Sequence, residues 1–468
     1  MSSHLPAVLA HIDSQLDASL ERLSDFLRIP SISTDSQWKA DCARAADWLK
    51  ADLTSLGFKT SVRPTPGHPV VLGHAKSAKD KGNKSRPHVL FYGHYDVQPV
   101  DPLEQWTSPP FEPKIVEIAK GRKVIMARGA CDDKGQVMTF LEACRAWKAV
   151  TGSLPIDITA LIEGEEENGS INLPEFVKAN AAELKADLAL VCDTGMWDRK
   201  TPAITTSLRG LLYEEVIIRA ADRDLHSGLF GGAAANPIHI LSTIIASLHK
   251  ASGKIAVPGF YKGVKSLPKA VKERLEGLAL TEKSFLGTVG LKHSIGENDR
   301  LLIEQISTRP TCDVNGIWGG YTGEGTKTVI AGEARAKISF RLVGEQDPKA
   351  IQKAFRAYVK AQVPKDCSVE FIGYKGSRAL QLPWDSAALK AAEKALKQEW
   401  GKAPAMVGSG GSIPIVGDFK RVLGMDSLLV GFGLDDDRVH SPTEKYDLSS
   451  FHKGTRSWAR ILAALAEG

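Results

Sequence analysis

Pro87-His88-Val89-Leu90-Phe91-Tyr92-Gly93-His94-Tyr95-Asp96-Val97 is the stretch from which the fold and the chemistry of this chain unfold. A short apolar run bounded by turn formers reads as a buried strand. Residues two apart in a strand point the same way, so His94 and Asp96 are expected on one face at its end. A histidine with a carboxylate beside it suits a metal site, because one ring nitrogen binds while the acid orients the ring. The same pair also suits an ordinary polar strand end. The partners supplied by the rest of the chain decide between the two.

Those partners follow in chain order. Arg128-Gly-Ala-Cys-Asp132-Asp133-Lys134-Gly135 opens a helix expected to run to about 149. Capping of that helix accounts for one Asp but not for the whole run. The strand 156–163 ends in Glu163-Gly-Glu165-Glu166-Glu167-Asn168-Gly-Ser170. Such an acidic cluster is either a solvated loop or a site that holds a cation. The strand 188–192 ends in Asp193-Thr-Gly-Met-Trp197, and the strand 428–432 is followed by His440. Strands alternating with helices imply an α/β fold with a mostly parallel sheet. Ligands of such sheets bind beyond the carboxyl ends of the strands, so these polar ends should converge.

Around Leu208 the texture changes to alternating, antiparallel strands with two helices. The expected organisation is a discontinuous catalytic metal-binding domain, 1–207 and 385–468, with an inserted α+β domain at 208–384. A length of 468 residues fits two domains. Hydrophobic content of 43% and charged content of 25% are usual for a globular protein. The net charge of +5 is small and interspersed, which gives no nucleic-acid face. No apolar run is long enough to span a membrane. Six scattered cysteines and the absence of a secretory pattern point to a cytoplasmic protein. Gly320–Thr328 resembles a phosphate loop, but Thr326 separates the glycine from the lysine and excludes the Walker spacing.

His94, Asp132, Glu166, Glu167, Asp193 and His440 are imidazole and carboxylate donors without thiolate. That set suits zinc, manganese or cobalt. With two histidines and several acids, two ions are expected, bridged by one carboxylate at about 3.5–4 Å and sharing a water. Of two adjacent glutamates, one can bind metal while the other moves the proton. His226 and Arg341 fit either a clamp for a substrate carboxylate or a loop histidine and a strand-edge arginine.

The chain resembles the dinuclear-zinc peptidase family that includes carnosinase, cytosolic nonspecific dipeptidase, succinyl-diaminopimelate desuccinylase and carboxypeptidase G. The matching motifs are GHYDV (93–97), RGACDDKG (128–135), EGEEENGS (163–170), CDTGMW (192–197), DLHSG (224–228), SFRLVG (339–344), GGSIP (410–414) and HSPTEK (440–445). They span nearly the whole chain in the family's order. The resemblance implies that His94 and Asp193 hold one ion, Glu167 and His440 the other, and that Asp132 bridges. It further implies Glu166 as general base and acid, Asp96 as orienter of His94, and Arg341 and Ser412 as the seat of a substrate carboxylate. The Asp132–Asp133 peptide is often cis in this family. The inserted domain resembles the family's lid and dimer domain, so a homodimer is expected, with His226 reaching the partner's site. The run Glu165-Glu166-Glu167 departs from the pattern and leaves the pairing open by one residue; counting back from Asn168 selects Glu166 and Glu167. Some relatives carry Glu at the position of Asp193, and Asp is associated with the dipeptidase and carnosinase side. The activity implied is a metal-dependent dipeptidase acting through a metal-bridging hydroxide on short peptides with a free C-terminal carboxylate. The alternatives are an N-acyl amino acid deacylase or desuccinylase and, more remotely, a non-catalytic metal-binding protein.

Overall fold

The computed structural model describes residues 2–78, 86–374, 376–383, 386–410 and 413–467. It forms two compact units, the first made of 1–206, 382–406 and 418–468, the second of 207–381 and 407–417. Chain order alone would assign 407–417 to the first unit. No helix among the described residues is long and apolar enough to cross a membrane.

The first unit is built on a sheet whose strands run in the spatial order 59–63, 70–75, 157–163, 88–94, 188–191, 426–429 and 203–208. Its centre is parallel. His88–His94 pairs in register with Asp157–Glu163 on one side and with Leu188–Val191 on the other, and Asp426–Leu429 continues beyond. The outer strands are antiparallel. Central strands of this kind are apolar on both faces because helices cover both. Phe91 and Tyr92 show it: Phe91 stacks on Phe140 at 3.7 Å and meets Trp458 edge-on, while Tyr92 meets Phe419 on the other face. Phe140 lies on the helix Lys134–Thr151 and Trp458 on the helix Leu448–Glu467.

The structure refines one sequence expectation and adds two elements. The N-terminal segment forms two helices, Leu5–Ser14 and Leu16–Leu27, separated at Gln15, whose φ of −106° and ψ of 12° leave the helical region. The strand at the opening stretch ends at His94, so Asp96 lies beyond it. There Val97 turns to pair with Ile32 and donates its N–H to the Ser31 carbonyl at 3.0 Å. The hairpin Lys114–Ala119 and Arg122–Met126 carries mostly exposed residues and shows little of the apolar alternation that marks a strand.

The second unit is a four-stranded antiparallel sheet in the order 311–319, 333–342, 210–219, 368–373. Glu333–Leu342 alternates half-buried and buried residues along its length. Its buried side packs with the helices Pro237–Ser247 and Pro348–Lys360 around Phe340, Phe355 and Ile338. The edge strand Thr311–Gly319 was not legible beforehand. It leaves Val314, Ile317 and Trp318 exposed and interrupts its pairing with a bulge between Val314 and Gly316.

Candidate metal centre

The carboxyl ends of the parallel strands do converge. His94 closes its strand opposite Glu163, and its imidazole is wholly buried. Gly93 precedes it because a Cβ there would meet the Asp133 carboxylate at 2.8 Å and Val137 at 2.6 Å. Asp133 occupies the N-cap position of the helix Lys134–Thr151, yet its side chain makes no cap. It accepts the His94 N–H at 3.2 Å instead, so capping does not explain this residue. The Asp132–Asp133 peptide is cis.

Asp132 sits at the centre. His94 Nε2 bonds its Oδ1 at 3.1 Å, and His440 Nε2 bonds its Oδ2 at 3.0 Å. His440 Nε2 also lies 3.1 Å from Glu167 Oε2. Two triads of donor atoms result, each within 4.8 Å: His94, Asp132 and Asp193, and Asp132, Glu167 and His440. Asp132 belongs to both, one oxygen to each histidine. That is the arrangement in which one carboxylate serves two cations. A third acidic group, Asp436, Asp437 and Asp447, is already neutralised by Arg122 and Lys445.

Asp96 does more than face His94. Its Oδ1 lies 3.3 Å from His94 Nδ1, which also bonds the Asp96 carbonyl at 3.1 Å. Its carboxylate further accepts the N–H groups of Glu166 at 3.2 Å and Glu167 at 3.0 Å, and the Ser33 hydroxyl at 2.6 Å. One acid therefore holds the ring of His94 and the backbone of both glutamates. Glu165 is turned away and bonds Asn172 at 2.9 and 3.0 Å. Gln98 donates to Glu167 Oε2 at 2.7 Å.

The electrostatics fit a cation site. Burial pushes the Glu166 carboxyl up to about 9, against the pull of His94 and with Asp193, Asp96 and Asp132 adding to the rise. Burial and the neighbouring Asp132 push Asp193 up to about 7. Burial also raises Asp132, but the hydrogen bonds from His440 and His94 outweigh it and hold its pKa low. Hydrogen bonds to Asp132 and Glu167 push His440 up to about 10. Burial works against the charged form of His94, yet its bonds to Asp132 and Asp96 raise its pKa well above the usual imidazole value. Without metal, protons on the two rings balance the carboxylates; divalent ions at the same places would do so more fully.

The remaining candidates lie in the second unit. His226 ends a two-residue strand paired with Val329; its imidazole is exposed, and Nδ1 accepts the Gly228 N–H at 3.0 Å. Arg341 stands opposite Leu211 and Thr311, on the sheet face away from Phe340. Ser412 lies outside the described residues. Asp133, Ser33, Gln98 and Glu444 contribute to the centre without having been assigned a role. Asp133 and Glu444 stood inside quoted motifs, Ser33 and Gln98 outside them.

A parallel sheet with paired imidazole–carboxylate triads at its carboxyl edge defines a metal-dependent hydrolase. The chain belongs to peptidase family M20/M25/M40, whose model matches residues 90–464. It is 31% identical over 94% of its length to the Cys-Gly metallodipeptidase DUG1 of Candida albicans, covering 92% of that protein. It is 29% identical over 99% of its length to the human Beta-Ala-His dipeptidase, covering 93% of it. The solved structure of the di-peptidase Dug1p from Saccharomyces cerevisiae superposes with a TM-score of 0.80 at 29% identity, with 100% of both chains covered.

Proposed function

We propose that this enzyme is a dipeptidase that cleaves short peptides with a free C-terminal carboxylate, using two divalent ions. The observation that carries the reading is Asp132, bonded at 3.1 and 3.0 Å by histidines that belong to two separate triads. His94 and Asp193 would hold one ion, Glu167 and His440 the other, with Asp132 shared. Zinc suits these nitrogen and oxygen donors best; manganese and cobalt are the other candidates. Bound there, the ions supply Lewis acidity toward the scissile carbonyl and an acidified water.

The chain's own residues do the rest. Asp96 fixes His94 and presents Glu166 through the Glu166 N–H. Glu166 takes the proton of the attacking water on its carboxylate and returns it to the leaving amine. A carboxyl raised by burial, then lowered by neighbouring cations, is brought toward the pH at which it can do both. Arg341, with Ser412, would bind the substrate carboxylate, for which a planar guanidinium suits bidentate pairing.

The second unit would form a homodimer, bringing His226 to the partner's scissile carbonyl. The exposed Val314, Ile317 and Trp318 on an edge strand support that assignment. The cysteines Cys42, Cys131, Cys144, Cys192, Cys312 and Cys367 are all free, which fits a cytoplasmic enzyme.

A panel of dipeptides against N-acetyl and N-succinyl amino acids, run on protein reconstituted with zinc, manganese or cobalt, tests this reading. Turnover of dipeptides is expected. Turnover of the acyl amino acids alone would assign the enzyme as a deacylase or desuccinylase, and metal uptake without any hydrolysis would make it a metal-binding protein.

A further inference from the structure

We infer that Glu444 is the positioning residue that sets the geometry of the metal centre, an inference that rests on the two-ion reading above. Its carboxylate is completely buried. Oε1 accepts the N–H groups of Cys131 at 2.9 Å and Asp132 at 3.0 Å. Oε2 accepts the N–H of Gly129 at 2.9 Å and Nη1 of Arg128 at 2.8 Å. A carboxylate is acceptor-only, with about four lone-pair sites. Here three amides of one loop and a guanidinium fill them, and that loop ends in the shared ligand Asp132. The Glu444 carbonyl accepts the Ala127 N–H at 3.1 Å and secures the start of the same loop.

The other ligand lies on Glu444's own loop. Lys445 closes this loop onto Asp437, through its N–H to the carbonyl at 3.0 Å and through Nζ to Oδ1 at 2.6 Å. Inside it Arg438, His440 and Thr443 have φ of 58°, 62° and 60°. Non-glycine residues enter that left-handed region at a cost and stay only where the surroundings hold them. Glu444 thus joins a loop that could not hold His440 by propensity to the loop that carries Asp132. It fixes the 3.0 Å approach of His440 to Asp132 without touching an ion or substrate. Glutamine there would turn an NH2 donor toward amide donors and lose the match.

The test compares Glu444→Gln, Glu444→Asp and the double variant Arg128→Met/Glu444→Gln with the unaltered protein. Metal-free protein is titrated with Co²⁺, read by its visible d–d bands, below each variant's unfolding midpoint. The unaltered protein is expected to take two equivalents. Glu444→Gln should bind Co²⁺ about 10–100-fold more weakly with altered bands, the usual loss when a residue supporting a ligand is removed. Glu444→Asp, which keeps the charge one methylene short, should recover part of the affinity. The double variant removes the unbalanced buried charge, so it should regain thermal stability but not affinity. Unaltered affinity and bands in a folded Glu444→Gln protein would overturn the inference. So would affinity that returns together with stability in the double variant. Fewer than two equivalents in the unaltered protein would remove the two-ion reading first, and the role of Glu444 with it.

Discussion

Replacing Glu166 by Gln separates proton transfer from everything else the centre does. The substitution keeps side-chain volume and leaves the Glu166 N–H on Asp96 Oδ1, so the residue should stay in place. None of the metal triads includes Glu166, so two equivalents of metal should remain. Glutamine cannot accept the proton of the attacking water, and general base catalysis contributes about 10²–10⁴ in rate. At about 1.4 kcal/mol per tenfold, the loss is about 3–5 kcal/mol of barrier. Stability should move the other way. In metal-free protein the carboxyl is held up to about 9 against an ordinary 4.5. A group raised in the folded state weakens folding as pH climbs past its unfolded value, so at pH 7 Glu166 costs about 3 kcal/mol at most. Glutamine escapes that cost, and the metal-free variant should melt higher. The assays are turnover of a dipeptide at saturation, metal content, and thermal unfolding with and without chelator. Turnover within tenfold of the unaltered enzyme, with metal retained, would refute the role given to Glu166.

Removing metal should make stability depend on alkaline pH. His440, raised to about 10 by Asp132 and Glu167, contributes stability that is complete below its unfolded value of 6.5 and lost as pH rises through about 10. Thermal scans should show chelated protein losing melting temperature between pH 7 and 10 while metal-loaded protein keeps more of it. Apparent metal affinity, measured by titration across the same range, should rise with pH because the ion displaces ring protons. Arg341→Met should raise KM for a dipeptide roughly 10–150-fold, the loss of a charged hydrogen-bonded pair of about 1.5–3 kcal/mol, and leave the KM of the C-terminally amidated analogue almost unchanged. Phe140→Ala, which removes the ring stacked on Phe91 at 3.7 Å, should lower unfolding free energy by about 3–5 kcal/mol in denaturant melts.

Much of the first unit was legible because its central strands are apolar runs ending in chemistry-bearing residues. His94, Glu163 and Asp193 each end such a run or lie just past it, and the strand-end rule gathers them without any knowledge of distances. The edge strand Thr311–Gly319 was not legible, since exposed positions with Gly316 and Gly319 leave no two-residue alternation to read. Within the centre, the residues met were those of the right chemical type at strand ends. Two of those missed, Asp133 and Glu444, act on backbone amides, as does Asp96, which was expected only to orient His94. Asp133 holds the His94 N–H, Asp96 holds the N–H groups of Glu166 and Glu167, and Glu444 holds the Gly129–Asp132 amides. Sequence spacing does not encode which amide a carboxylate will reach across 300 or so residues, because tertiary packing decides it.

The shared role of Asp132 is the centre of this account, and anomalous diffraction from zinc-loaded crystals tests it directly. Two peaks are expected about 3.5–4 Å apart. One should lie against His94 and Asp193, the other against Glu167 and His440, with one Asp132 oxygen on each. A single peak, or two peaks of which only one touches Asp132, would contradict it.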